Sequence, residues 1–291
     1  LHNLYTIRGA KVRDALRWAN DIDATAERLG DAEVLFNQHH WPVWGNDEIR
    51  GFLAAQGDVY RYLHDQTVRL MNAGLTAPEI AETLELPDAL DRHLATRGYY
   101  GTVRHNIKAI YQFYLGWYDA HPANLDPLPP VAAAERYVAL AGGMGPLLEA
   151  ARAAQARGEH RWAAELLKHA VYAEPGNDDA RALLATSFEQ LGFAAEASTW
   201  RNAYLAGAQE ARDGAPAKGF SPLLRPCREA AGQLPDPVAL RARRRLSRAS
   251  PSPGRGRRGA PRCEARDRSR PRCSGRRARP RAARGRCAGR G

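Results

Sequence analysis

The sequence has 291 residues, a formal net charge of +11 and four cysteines, and all three figures change meaning once placed along the chain. Residues 241–291 hold 20 Arg, no Lys and only Glu264 and Asp267 as acids, a charge of +18 that leaves −7 on residues 1–240. Every cysteine lies at or beyond Cys227 and no run of 18 apolar residues exists, which excludes a disulfide framework or thiolate metal site in the first 226 residues and a membrane-spanning helix anywhere. The chain opens on Leu1 rather than Met and is read as part of a longer protein, so a secretory leader and the compartment stay open.

In chain order, Val12, Ala15, Leu16, Ala19, Ile22, Ala26 and Leu29 recur at spacings of three and four, which predicts an amphipathic helix over 10–29 ending at Gly30. The apolar run from Ala32 to Phe36 predicts a buried strand, and the polar and aromatic residues from Asn37 to Gly45 a loop at its end, where α/β folds place functional groups. A helical period returns from Asp47 to Asn72 with Phe52, Leu53, Val59, Tyr60 and Leu63, stopping near Gly74. Thr76 and Glu79 make a capping box, and Pro87 is placed in the first turn of a further helix. Arg97 to Gly101 is a turn, followed by a helix from Thr102 to Tyr118 with an aromatic face of Tyr111, Phe113, Tyr114, Trp117 and Tyr118. After a Pro-rich connector, Pro122 to Pro130, residues 131–211 predict an all-helical array. Gly158, Ala163, Ala170, Pro175, Asn177, Ala180, Leu184 and Gly192 fall where a tetratricopeptide-like repeat puts its small and turn residues, with a helix pair on either side of Pro175.

One constellation suits chemistry. His39 and His40 stand at the predicted strand end beside Trp41 and Trp44, and a neutral imidazole held by a rigid element is a good zinc ligand. Successive strand residues point to opposite faces, so at most one of the pair reaches a given metal. Capping or packing is the alternative role for both.

The strings Leu1 to Gly9 (LHNLYTIRG), His39 to Gly45 (HHWPVWG), His64 to Thr67, Arg97 to Asn106 (RGYYGTVRHN), Tyr114 to Leu125 and Trp200 to Glu210 resemble, in order over residues 1–215, the alkylsulfatases of the metallo-β-lactamase superfamily that cleave dodecyl sulfate. The resemblance implies an enzyme with two zinc ions per intact catalytic domain, hydrolysing alkyl sulfate esters to alcohol and sulfate, and a homodimer. It divides the chain into a remnant of the catalytic α/β domain (1–70), a helical dimerisation domain (71–212) and a basic tail (213–291), mainly α overall. It implies that His40, with His39 as the alternative, is a zinc ligand and that Arg8 holds the sulfate. His105 and Asn106 look like substrate-pocket residues and Tyr99 and Tyr100 like its entrance, with helix capping for Asn106 and core packing for the tyrosines the competing roles. The family's HxHxDH cluster has no counterpart in these residues, so the chain alone is expected to be inactive and to carry no catalytic residue of its own. A non-catalytic helical interaction module is the alternative.

Residues 1–45, as part of an α/β domain, are expected to be marginally ordered by themselves. The tail lacks aromatic residues beyond Phe220 and is expected to be disordered. Its dense Arg suits nucleic acid, but the absence of Lys and the replacement of an expected apolar domain favour out-of-frame coding, so a nucleic-acid partner is not expected.

Overall fold

The computed structural model describes residues 1–214; the basic tail lies outside the described residues. Helix α1 spans Ala15–Arg28 and begins late because Asp14, in extended backbone, accepts the Arg17 N–H at 3.0 Å. The residues predicted as its first turn instead run beside the N-terminal segment, where the Arg13 N–H donates to the Leu4 carbonyl at 3.0 Å.

The strand and loop expected over 32–45 form an antiparallel hairpin, β1 (Val34–Asn37) with β2 (His40–Trp44). The predicted loop is therefore mostly a second strand, which Pro42 can enter because a two-stranded sheet leaves it an edge without a ladder N–H to supply. Nor is the first strand buried: Val34 and Phe36 are exposed, as are Trp41 and Trp44, because no further strand covers them among the described residues.

Helix α2 runs unbroken from Asn46 to Asn72 and buries Ile49, Leu53, Val59, Tyr60 and Leu63. It ends at Ala73 and Gly74, the latter at φ 90°, a left-handed value that glycine tolerates. The Thr76–Glu79 capping box opens α3 (Ala77–Thr83) as read from the sequence. Pro87 caps the short α4 (Asp88–Asp91) from outside it. Thr102 caps α5 (Val103–Leu115), and Gly116 at φ 74° stops it before Trp117 and Tyr118, so the aromatic run extends beyond the helix.

These elements share one core: Leu4, Ala15 and Ala19 pack with Val59, Tyr60 and Leu63 of α2 and with Ile80, Ile107 and Ile110. Residues 1–45 thus do not stand apart, since Leu1 and Leu4 are buried in a core that the later helices complete. The core also joins residues on both sides of position 70.

Helices α6 (Pro130–Leu140), α7 (Met144–Ala156), α8 (His160–Ala173), α9 (Asp178–Ala194) and α10 (Ser198–Asp213) form the predicted array. Two helix pairs flank Pro175, and Asn177 caps α9 by accepting the Ala180 N–H at 3.0 Å. The small residues sit where the repeat reading puts them: Ala163, Ala170 and Ala180 are fully buried and let the helices approach around Leu167 and Leu184. The start of α10 returns to the first core, with the Ser198 N–H donating to the Tyr99 carbonyl at 2.7 Å and the Thr199 hydroxyl to that of Tyr100 at 2.8 Å.

Candidate functional site

The N-terminal segment is irregular, so its backbone polar groups need partners from elsewhere. Tyr60 of α2 donates its hydroxyl to the His2 carbonyl at 3.0 Å and accepts the His2 N–H at 2.8 Å. Burial pushes that phenol well above its usual range, so it stays protonated. Asn106 of α5, fully buried, accepts the Leu4 N–H at 2.8 Å and donates to the His2 carbonyl at 2.9 Å. His105 donates from Nε2 to the Tyr5 carbonyl at 2.7 Å, and its Nδ1 accepts the indole N–H of Trp200 from α10 at 3.1 Å. That pattern fixes one neutral tautomer, and burial lowers the imidazole pKa, outweighing the Tyr5 hydrogen bond. Gly101 allows the closest approach: a Cβ there would lie 2.5 Å from the His2 carbonyl carbon and 2.6 Å from the Asn3 nitrogen.

What this clamp presents is His2 and the Thr6–Arg8 turn. The His2 ring lies 4.9 Å from Tyr100 and edge-on to His39 at 5.2 Å, while His39 stacks on Tyr100 at 3.8 Å. Three segments distant in sequence, the irregular N-terminal segment, the hairpin turn and the turn before α5, therefore meet ring to ring. Burial also lowers the His2 pKa, the largest of several causes.

Three clefts open around this cluster. One of about 540 Å³ is lined by His2, His39 and His40 together with Trp18, Ile22 and Phe52, with His2 stacked on Trp18 at 5.6 Å and His40 edge-on to Phe52 at 4.9 Å. A second, about 640 Å³, lies between the hairpin and α10, bordered by His39, His40, Trp41, Tyr99 and Arg201. The third, about 380 Å³, holds Arg8, Thr6, His2 and Tyr100 with Thr199 and Asn202. Arg8 is exposed and pairs with no carboxylate among the described residues, and the Thr6 hydroxyl oxygen is buried without a partner. A guanidinium beside an unused hydroxyl suits a tetrahedral oxyanion.

His40 differs from its neighbour. Its Nδ1 bonds to the Trp41 carbonyl at 3.0 Å, which makes that nitrogen the N–H donor, and its Nε2 is buried with no partner. A backbone carbonyl that fixes the tautomer and leaves the other nitrogen's lone pair unused is the pattern of a metal-ligating histidine. The residue fits a metal as one ligand. Among the described residues no three His, Cys, Asp or Glu side chains converge to hold an ion.

Of the residues singled out from the sequence, Arg8, His39, His40, Tyr99 and Tyr100 line these adjoining clefts. His105 and Asn106 stand behind them, their side chains engaged by the backbone of residues 2–5 and by Trp200. Sequence reasoning gave no separate role to His2 or Thr6, although both lie inside the Leu1–Gly9 string. It also gave none to Thr199, whose contact with Asn3 (3.2 Å) spans 196 residues and leaves no local signal.

Residues 76–214 match the alkyl sulfatase dimerisation family. Over 217 residues the chain is 52% identical to an alkyl/aryl-sulfatase of Saccharomyces cerevisiae, covering 74% of this chain and 34% of that protein. It is 52% identical over 218 residues to an (R)-specific secondary-alkylsulfatase of a Pseudomonas species, covering 74% and 33%. The solved structure of a stereoselective inverting sec-alkylsulfatase from Pseudomonas superposes with a TM-score of 0.73 at 50% identity, over 78% of this chain and 36% of that one. The chain spans about a third of the length of the curated relatives it matches.

Proposed function

We propose, for a chain that belongs with the alkylsulfatases and whose residues 76–214 are an alkyl sulfatase dimerisation domain, that it forms part of a homodimeric, zinc-dependent hydrolase of alkyl sulfate esters. The observation that carries this reading is the ring contact of His2, His39 and Tyr100, which sets an oxyanion cleft beside a histidine with an unused buried nitrogen. His40 Nε2 would be one zinc ligand, the remaining ligands coming from outside this chain. Zinc, when bound, supplies a water acidified toward neutrality.

The chain's own residues bind and orient. Arg8 donates paired hydrogen bonds to sulfate oxygens, with the Thr6 hydroxyl a further partner. Trp18, Ile22 and Phe52 give the alkyl chain an apolar wall. His105, Asn106 and Tyr60 hold the backbone of residues 2–5 and thereby position Arg8. Taken alone, the chain is inactive, because a catalytic zinc site needs about three protein ligands.

Two measurements test this. The 291-residue chain should release no sulfate from dodecyl sulfate. In an intact relative, alanine at the position of Arg8 should lower kcat/KM by about 100-fold, the loss of a charge-assisted, two-bond contact. Normal turnover by that variant would refute the sulfate role. Sulfate release by the chain alone would show that its site is complete.

A further inference from the structure

The turn that carries Tyr99 and Tyr100 is bent chain with neither helix nor strand, so its backbone groups are met from outside it. The Gly101 N–H donates to the Leu1 carbonyl at 2.9 Å, which pins one end. Two further bonds come from consecutive residues at the start of α10. The Ser198 N–H donates to the Tyr99 carbonyl at 2.7 Å, and the Thr199 hydroxyl donates to the Tyr100 carbonyl at 2.8 Å. The Thr199 oxygen is used a second time, accepting the Asn3 side-chain amide at 3.2 Å. Asn3 in turn accepts the Thr102 N–H at 3.1 Å through its side-chain oxygen. One hydroxyl thus joins α10, the turn before α5 and the N-terminal segment. The Arg97–Glu196 ion pair also links the turn to the start of α10, but both side chains are about half exposed and such a pair contributes little.

We propose that Thr199 is a positioning residue: from α10 its hydroxyl sets the Tyr100 ring, and through that ring the His39 side of the hairpin turn and the Arg8 cleft. The inference rests on the alkyl sulfate reading for its purpose and adds the side chain that holds the site in register. The ring that Thr199 governs stacks on His39 at 3.8 Å and lies 4.9 Å from His2. Thr199 also lines the cleft that holds Arg8, Thr6 and Tyr100. A ring carried on two side-chain torsions follows its backbone, so a shift of the Tyr100 peptide moves the stack. Valine has the branched outline of threonine but takes the partner away from both the Tyr100 carbonyl and the Asn3 amide. Both groups must then turn to water, and the turn moves with them. Serine keeps the hydroxyl and with it both bonds.

The test uses the full 291-residue chain and two readouts. One is the ring-current displacement of the His39 imidazole protons in NMR spectra, which reports the Tyr100 stack; the other is titration with inorganic sulfate. In the wild type the His39 signals should lie upfield of those of a free imidazole. Thr199→Val should lose that displacement with unchanged far-UV circular dichroism, and its sulfate dissociation constant should rise about tenfold, the scale of one neutral hydrogen bond. Thr199→Ser should keep both at the wild-type level. If Thr199→Val loses its helical signal, Thr199→Ala is read in its place. A folded variant without the hydroxyl that keeps the His39 displacement or the wild-type sulfate affinity overturns the proposal, as does a Thr199→Ser variant that behaves like the valine one. A wild type with no response to sulfate, or a response that Arg8→Ala does not weaken, counts against the alkyl sulfate reading and leaves the ring displacement to decide Thr199 by itself.

Discussion

Asn106 meets two obligations with one side chain: it accepts from Leu4 and donates to His2 at a site closed to water. Replacing it with leucine keeps the branched outline of the side chain and strands the Leu4 N–H, so Asn106→Leu should cost about 2–3 kcal/mol in urea unfolding. A loss below about 1 kcal/mol would mean that water or another donor takes its place. The resemblance drew attention to this residue but could not separate substrate contact from scaffold, because the answer depends on a segment about 100 positions away. Arg8, His39 and His40 stand out in the sequence through the strings that carry the resemblance. Thr6 was hidden within such a string, since a threonine matters here only through an oxygen left without a partner.

Helices with a strong apolar period were readable, and their errors follow from local chemistry. Asp14 delays α1, and Gly116 ends α5 early, both by capping rules that override periodicity. The hairpin was missed because Pro42 and the two histidines read as a loop, while pairing with Val34–Asn37 makes them a strand. The junction of α5 with α10 gives a prediction at this scale. His105 has a folded pKa below its ordinary value of 6.5, chiefly through burial. The unfolded chain therefore binds the proton first, and this contribution to stability is present above about pH 6.5 and is lost as the pH falls below it. The positive charge of Lys108 works in the same direction. Unfolding free energy measured from pH 7.5 to pH 5.5 should decline in the wild type, and His105→Gln should decline less. Equal slopes would remove His105 as a source of the pH dependence.

At the scale of the molecule, one core unites residues 1–111 and a second unites α7–α9, with α10 reaching back to the first through Ser198, Thr199 and Trp200. The helical array is thereby tied to the clefts rather than appended to them, since Thr199 and Asn202 line the same cleft as Arg8. This arrangement makes the segment that matches the dimerisation family part of the wall of the candidate site. No helix among the described residues is long and apolar enough to cross a membrane. The zinc-ligand role proposed for His40 is read most simply from the zinc content and dodecyl sulfate turnover of an intact relative with alanine at that position. Less than the full zinc complement and a fall in turnover of ~100-fold or more are expected, at or beyond the upper end of what losing a ligand's hydrogen-bond partner costs. Full zinc content with normal turnover would contradict it.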